Sequence, residues 1–326
     1  MTILRSSGGV QHNALSDRAV ARAEPATLHD RLAKFNHIRL SAALPSSDVA
    51  EGLAEEFDQR RLECAFVDRE RRAVASRAAE APRDAARFTG WFEALKVDGP
   101  GQGDPLFSWL AESASLEEMR WFVKQEAAGE AGFEDLTALA QLKLPPRPKL
   151  EMARNYWDEM GRGNEKGMHG PMLTALVRAL GVENLHVPLV WESLALGNLM
   201  MALAVNRCYA FHAIGALGAI ELTAPTRAVH VARGLKRLGV ARAARHYFAL
   251  HSTLDLQHSE SWNREVLAPL VAESPAVATA IAEGALLRLT AGARCFARYR
   301  THLWAPPRPA RALRPDRTRA SSGSRS

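Results

Sequence analysis

Three observations predict an all-α fold for this chain. Alanine is about one residue in six, and leucine, glutamate and arginine are also plentiful; these are strong helix formers. Strand-length runs of β-branched residues with period two are missing. Glycine and proline gather in clusters between long segments instead of recurring at hairpin spacing. At 326 residues the chain can form one large domain or two small ones and build a real core without staples.

Taken in order, residues 1–45 read as a polar arm, irregular through residue 43. Ser46 or Ser47 can cap a helix running toward Val67 and on through the Arg/Ala-rich stretch to Ala81. Arg83 to Lys96 is the next helix, ended by the turn Asp98-Gly99-Pro100-Gly101. Ser115 and Glu118 have capping-box spacing and open a helix to about Gly129. Phe133 to Leu142 is short and stops at Pro145-Pro146. Leu150 to Met160 meets a glycine break at Gly161 and Gly163, and another helix runs from Glu165 to Leu180. Leu189 to Leu222 is a long apolar segment with an expected bend near Gly215 and Gly218, and Pro225 suits the first turn of the following helix. Helices over about Ala241–Gln257, Trp262–Ala272 and Pro275–Arg298 complete a helical domain over 46–304. Residues 305–326 read as a disordered basic tail.

Charge narrows the function classes. The formal net charge is +6, with a sequence pI near 9.5. From Pro306 to Ser326 six arginines face a single Asp316, so +5 lies in that tail and the body carries +1. The basic pI therefore describes the tail and not a nucleic-acid-binding surface of the domain. No aromatic residue follows Trp304, so the tail lacks stacking groups for single strands. Cys64, Cys208 and Cys295 are sparse and odd in number, which argues against a disulfide framework. The stretch Leu194–Leu222 is broken by Asn198, Asn206, Arg207, His212 and Glu221, which suits a buried helix or helix pair and not a membrane span. A cytoplasmic protein with a small-molecule partner is expected, with no membrane, nucleic acid disfavoured and a homodimer left open.

Three motifs carry chemistry. In His251-Ser-Thr-Leu-Asp255-Leu-Gln-His258 the polar residues stand at i, i+4 and i+7, so on one helix they share one stripe. Two imidazoles and a carboxylate suit iron; a solvent-facing polar stripe is the alternative. Glu159 and His169 flank the glycine break. On an unbroken helix they would be about 15 Å apart, too far to share an ion, but Gly161 and Gly163 permit the chain to fold back. Otherwise Asp158 and Glu159 end a helix in water and His169 is a core histidine. Glu221 follows Gly215-Ala-Leu-Gly-Ala-Ile, whose small residues allow close helix approach. It is either a buried carboxylate needing a cation, or the point where the helix reaches water.

Together, DEMGRGNEKGMH (158–169), GALGAIE (215–221) and HSTLDLQH (251–258) resemble the haem-oxygenase-like di-iron oxidases and oxygenases, the iron-containing redox enzymes. The resemblance covers about Ser115 to Ala272. It implies a haem-oxygenase-like bundle of about seven core helices with extra N-terminal helices. It also implies six metal ligands, Glu159, His169, Glu221, His251, Asp255 and His258, holding two Fe(II) ions with dioxygen as co-substrate. Glu126 and Glu165 are the candidates for an additional carboxylate. The substrate class it implies is a fatty acid, amino acid or amine. Trp157, Met160, Met168, Phe211 and Leu254 are candidate pocket residues, and Arg154 or Arg207 could hold a substrate carboxylate. Haem-binding relatives use a proximal histidine that no position here demands. Thiamin-degrading relatives use a cysteine, for which Cys208 is the candidate. A helical binding or scaffold protein, with its basic tail contacting nucleic acid or an acidic partner, is the alternative function.

Overall fold

Pro25 in the first turn starts helix α1 (Pro25–Leu40), and Glu24 caps it by accepting from the Thr27 amide. The computed structural model describes residues 24–44 and 49–304. This helix corrects the irregular arm expected there. Leu28, Leu32 and Phe35 form a buried stripe, but it is narrow and set in a polar segment, which masks its period. The arm before residue 24, the caps Ser46 and Ser47, and the tail lie outside the described residues. Helix α2 (Val49–Ala79) is one long rod, as its Arg/Ala-rich continuation predicted.

Asp84 caps α3 (Ala85–Asp98), and Asp104 caps the short α4 (Pro105–Glu112), which sequence reading missed. The capping box forms as predicted at the start of α5 (Leu116–Gly129). Then come α6 (Phe133–Ala140), α7 (Pro146–Glu159), α8 (His169–Ala179), α9 (Trp191–Val205) and α10 (Ala210–Arg237). Helices α11 (His246–His251) and α12 (Leu254–Ser261) lead into a π-helical stretch, Trp262–Leu267. After it follow α13 (Ala268–Glu273) and α14 (Ala278–Leu303). Among the described residues there is no strand, only an isolated bridge between Met160 and Met168.

The apolar segment bends, but at Asn206 and not at the glycines. Its two helices meet at 96°. Asn206 is extended there, and its amide donates to Glu63 Oε1 at 2.7 Å and the Ala202 carbonyl at 2.8 Å. Arg207 donates to the Leu139, Ala140 and Leu142 carbonyls, which pins the corner. Gly215 instead lies mid-helix, where a Cβ would overlap the Ile281 carbonyl of α14. Reciprocally, a Cβ on Gly284 would overlap the His212 carbonyl of α10. These two core helices therefore meet backbone to backbone. Pro225 also lies inside α10, not at a helix start. Lacking an N–H, it leaves the carbonyl of Glu221, four residues back, without its intrahelical donor.

Around the α10–α14 pair, α4, α9, α2 and α12 close the core. Phe66, Phe88, Phe92, Leu110, Phe122, Leu217, Trp262 and Leu286 are buried in it. The segment Pro275–Leu303 is long and apolar enough to cross a membrane by composition, but 67% of its most apolar window is inside this core.

Candidate metal centre

Glu159 is the last residue of α7 and His169 the first of α8. Between them Gly161, Arg162 and Gly163 adopt positive φ of 61°, 54° and 83°, which turns the chain back on itself. A Cβ on Gly161 would overlap the Gly167 backbone, and the Met160–Met168 bridge closes the return. The reversal brings Glu159 Oε2 to 2.5 Å from His169 Nδ1. Both side chains are buried, and neither of these atoms has a hydrogen-bond partner. Two lone-pair donors this close without hydrogen-bond geometry is what a shared cation would call for.

His251, Asp255 and His258 do not lie on one helix as expected. Ser252 Oγ and Thr253 Oγ1 donate to the Ala249 and Leu250 carbonyls at 2.7 and 3.1 Å. These bonds compete with the helix ladder, and Thr253 leaves helical geometry at φ −126°. The motif is thereby divided. His251 joins Glu159 and His169, with the His169 and His251 rings 4.7 Å apart and nearly perpendicular. Asp255 and His258 join the buried Glu221 from α10. Within each triad the donor atoms lie within 4.8 Å of one another. His251 Nε2 and His258 Nδ1 are buried without partners; the latter stands 3.5 Å from Glu221 Oε2, too long for a good hydrogen bond.

The remaining atoms are held by residues whose roles no motif announced. Asn155 Nδ2 donates to Glu221 Oε1 at 2.5 Å. Asp158 accepts from His258 Nε2 at 3.1 Å, and Arg162 Nε donates to Asp158 at 2.6 Å. Asp158 is thus a positioning partner and not a solvated helix end. Asp255 meets His251 Nδ1 at 3.1 Å, and the Tyr247 ring packs on His251 at 4.5 Å.

Electrostatics confirm a crowded site. Burial pushes the carboxyl of Glu159 well above its ordinary range, and Glu221 and Asp255 add to this against the opposing His251. Burial likewise raises Glu221. Burial and then His251 lower His169 to about 4. Burial opposes protonation of His251, but Asp255 and Glu159 carry it up to about 9; for His258, Glu221 and Asp158 outweigh burial to the same value. Protons are thus shared among carboxylates and imidazoles where cations would balance the charge better. The donor types, their 4.8 Å grouping and their unpartnered buried atoms fit iron.

Both triads adjoin one cavity of about 140 Å³, lined by Glu159, His169, Glu221, His251 and Asp255 among others. Trp157, Met160, Met168, Phe211 and Leu254 do not line it; Trp157 is 52% exposed. Glu165 is exposed on the return loop, and Glu126 lines the cavity but belongs to neither triad. Arg154 pairs with Glu151 and Arg207 with loop carbonyls, so neither is placed to hold a substrate. Cys208 lies outside the cavity, and partial desolvation of its thiol raises rather than lowers its proton affinity. The chain matches no curated protein. Residues 120–293, just over half of the chain, match the model of the iron-containing redox enzymes, and the chain belongs to that family.

Proposed function

We propose that the chain is a non-haem di-iron, dioxygen-dependent oxidase or oxygenase acting on a small organic substrate. The observation that carries this reading is the pair of buried triads, each with unpartnered donor atoms, beside one cavity. Glu159, His169 and His251 would hold one ion, and Glu221, Asp255 and His258 the other. When bound, two ferrous ions supply the electrons that reduce dioxygen and the oxidising power that acts on the substrate.

The chain's own residues perform the rest. Asp158 and Asn155 fix the orientation of His258 and Glu221 from outside the triads. Phe107, Phe133, Leu173 and Phe248 make the cavity apolar, which limits water beside the donor atoms. The buried carboxylates and imidazoles can release protons as ions bind, because the ligating forms are deprotonated.

Anaerobic titration with ferrous iron tests the reading, with about two irons per chain expected. His251→Ala and Asp255→Ala should each lose one of them while keeping the helical circular dichroism of the parent. Iron uptake no greater than that of an unrelated helical protein would overturn the assignment, and loss of helicity in both variants would make the motif structural.

A further inference from the structure

The rim of the cavity carries carboxylates that neither triad uses. Glu130 stands at the C-terminal cap of α5, and Glu134 lies in the first turn of α6. Gly132 between them turns the chain with a φ of 74°, so both reach the cavity from one tight turn. Among the described residues that line the cavity, Glu130 alone is exposed, which puts the mouth at this turn. Glu134 is half-buried, and Glu159 and His169 are buried beyond it. Glu134 Oε1 lies against Gly170, where a Cβ would come within 2.7 Å of it, and Gly170 directly follows His169. Carboxylates thus lead from solvent to the unpartnered atoms Glu159 Oε2 and His169 Nδ1.

The arginines of the cavity belong to another part of its wall. Arg227 from α10 and Arg288 from α14 act on each other and on Glu126, and Arg227 also on Asp255. The side chains whose charges act most on Glu134 are instead Glu130, Asp135 and His169. Neither Glu130 nor Glu134 forms a salt bridge among the described residues. In all, six carboxylates line the cavity against two guanidiniums and the imidazoles of His169 and His251. A cleft with that excess of one sign draws cations inward. Two partly solvated carboxylates without an imidazole hold a divalent cation weakly and release it. The buried triads add histidine and exclude water, so affinity rises inward.

Resting on the di-iron reading of the triads, we propose that Glu130 and Glu134 form a transient divalent-cation site at the cavity mouth, which captures ferrous ions and passes them to the triads. Glu134, beside His169, serves the Glu159–His169–His251 triad first, and Glu221 and Asp255 are reached through the same cavity. The two rim carboxylates are a route and not part of the resting centre, so they set the rate of metal uptake and not its extent.

The test is anaerobic rapid mixing of the metal-free full chain with ferrous ammonium sulfate, quenched at intervals with a coloured ferrous chelator that reads the ions not yet taken up. Glu130→Gln and Glu134→Gln should each slow uptake about threefold or more, and together about tenfold or more, with about two irons per chain still bound at saturation. Glu134→Asp keeps the charge and should stay nearer the parent than Glu134→Gln. Added salt should slow the parent far more than the double variant. Glu130 is exposed, so Glu130→Gln carries the test if a Glu134 variant fails to fold. Parent-like rates in the glutamine variants, or loss of a bound iron at saturation, would overturn the proposal. Absent uptake by the parent would overturn the metal reading and the entry route together, whereas uptake at unchanged rates overturns the route alone.

Discussion

Asp158 illustrates how one residue sets the chemistry of another. By accepting from His258 Nε2 it leaves Nδ1 as the nitrogen facing Glu221. Asp158→Asn should weaken ferrous affinity about 10- to 100-fold while the stoichiometry at saturation persists. Equal affinities in anaerobic titrations of parent and variant would mean that His258 is oriented by something else. Gly161 is the second residue on which the site depends. An alanine there meets both a left-handed φ and the Gly167 backbone. Gly161→Ala should cost more than about 1–2 kcal/mol and empty the Glu159–His169–His251 site first. The check is iron per chain alongside the thermal midpoint. The six proposed ligands came from the resemblance of three motifs to a family; residue type and spacing alone left each of them open. Asn155 was not legible, because it acts across space on Glu221, a residue of another helix.

At the level of elements, α1 docks through a buried histidine. The His29 ring stacks on Trp191 at 5.7 Å and meets Phe66 edge-on. Burial, then Arg294 and Arg69, hold it down from its ordinary 6.5 to about 3. The folded state therefore binds this proton less readily than the unfolded chain does. The contribution is intact above about pH 6.5 and is lost as the pH falls from there toward 3, with about 2 kcal/mol gone by pH 5. Denaturant unfolding at pH 7 and pH 5 checks this: His29→Gln should show a shallower loss than the parent. The α10–α14 contact is the other element-scale dependence. Gly284→Val would drive a branched side chain into the His212 carbonyl and should destabilise by about 3 kcal/mol or more, read as a lowered thermal midpoint. Helix identity was legible at Ser115, where a capping box marked it, but not at the simpler caps Glu24 and Asp104. Nor were the bend at Asn206 and the break at Thr253. Glycine and an i, i+4, i+7 pattern are permissive signals, whereas side-chain hydrogen bonds to particular carbonyls decided both places.

For the whole molecule, metal and fold are linked. An ion that binds the folded chain alone stabilises it by about 2.7 kcal/mol at one hundred times its dissociation constant. Anaerobic ferrous iron should therefore raise the unfolding midpoint in a concentration-dependent way, and an unmoved midpoint would separate metal from fold. The charge of the chain divides between a body near +1 and the arginine-rich residues 306–326. Deleting those residues should leave iron uptake unchanged; a loss of it would bring the tail into the function.

The sequence by itself determined the helical class and the capping box at Ser115, because these follow from local propensity and chemical type, and its resemblance to a family supplied the candidate donors. It also placed a chain reversal at Gly161–Gly163, since backbone freedom is local. Tertiary structure alone decided how the donors divide. Two hydroxyls break the helix after His251, whose outer nitrogen groups with Glu159 and His169 while its Nδ1 stays 3.1 Å from Asp255. It decided likewise which arginines face the cavity. Arg227 and Arg288 come from α10 and α14, 61 positions apart in the chain, and both line it because those two helices pack side by side. Spacing along a chain ranks contacts within a helix turn or two; contacts between helices depend on packing distances that no local pattern encodes.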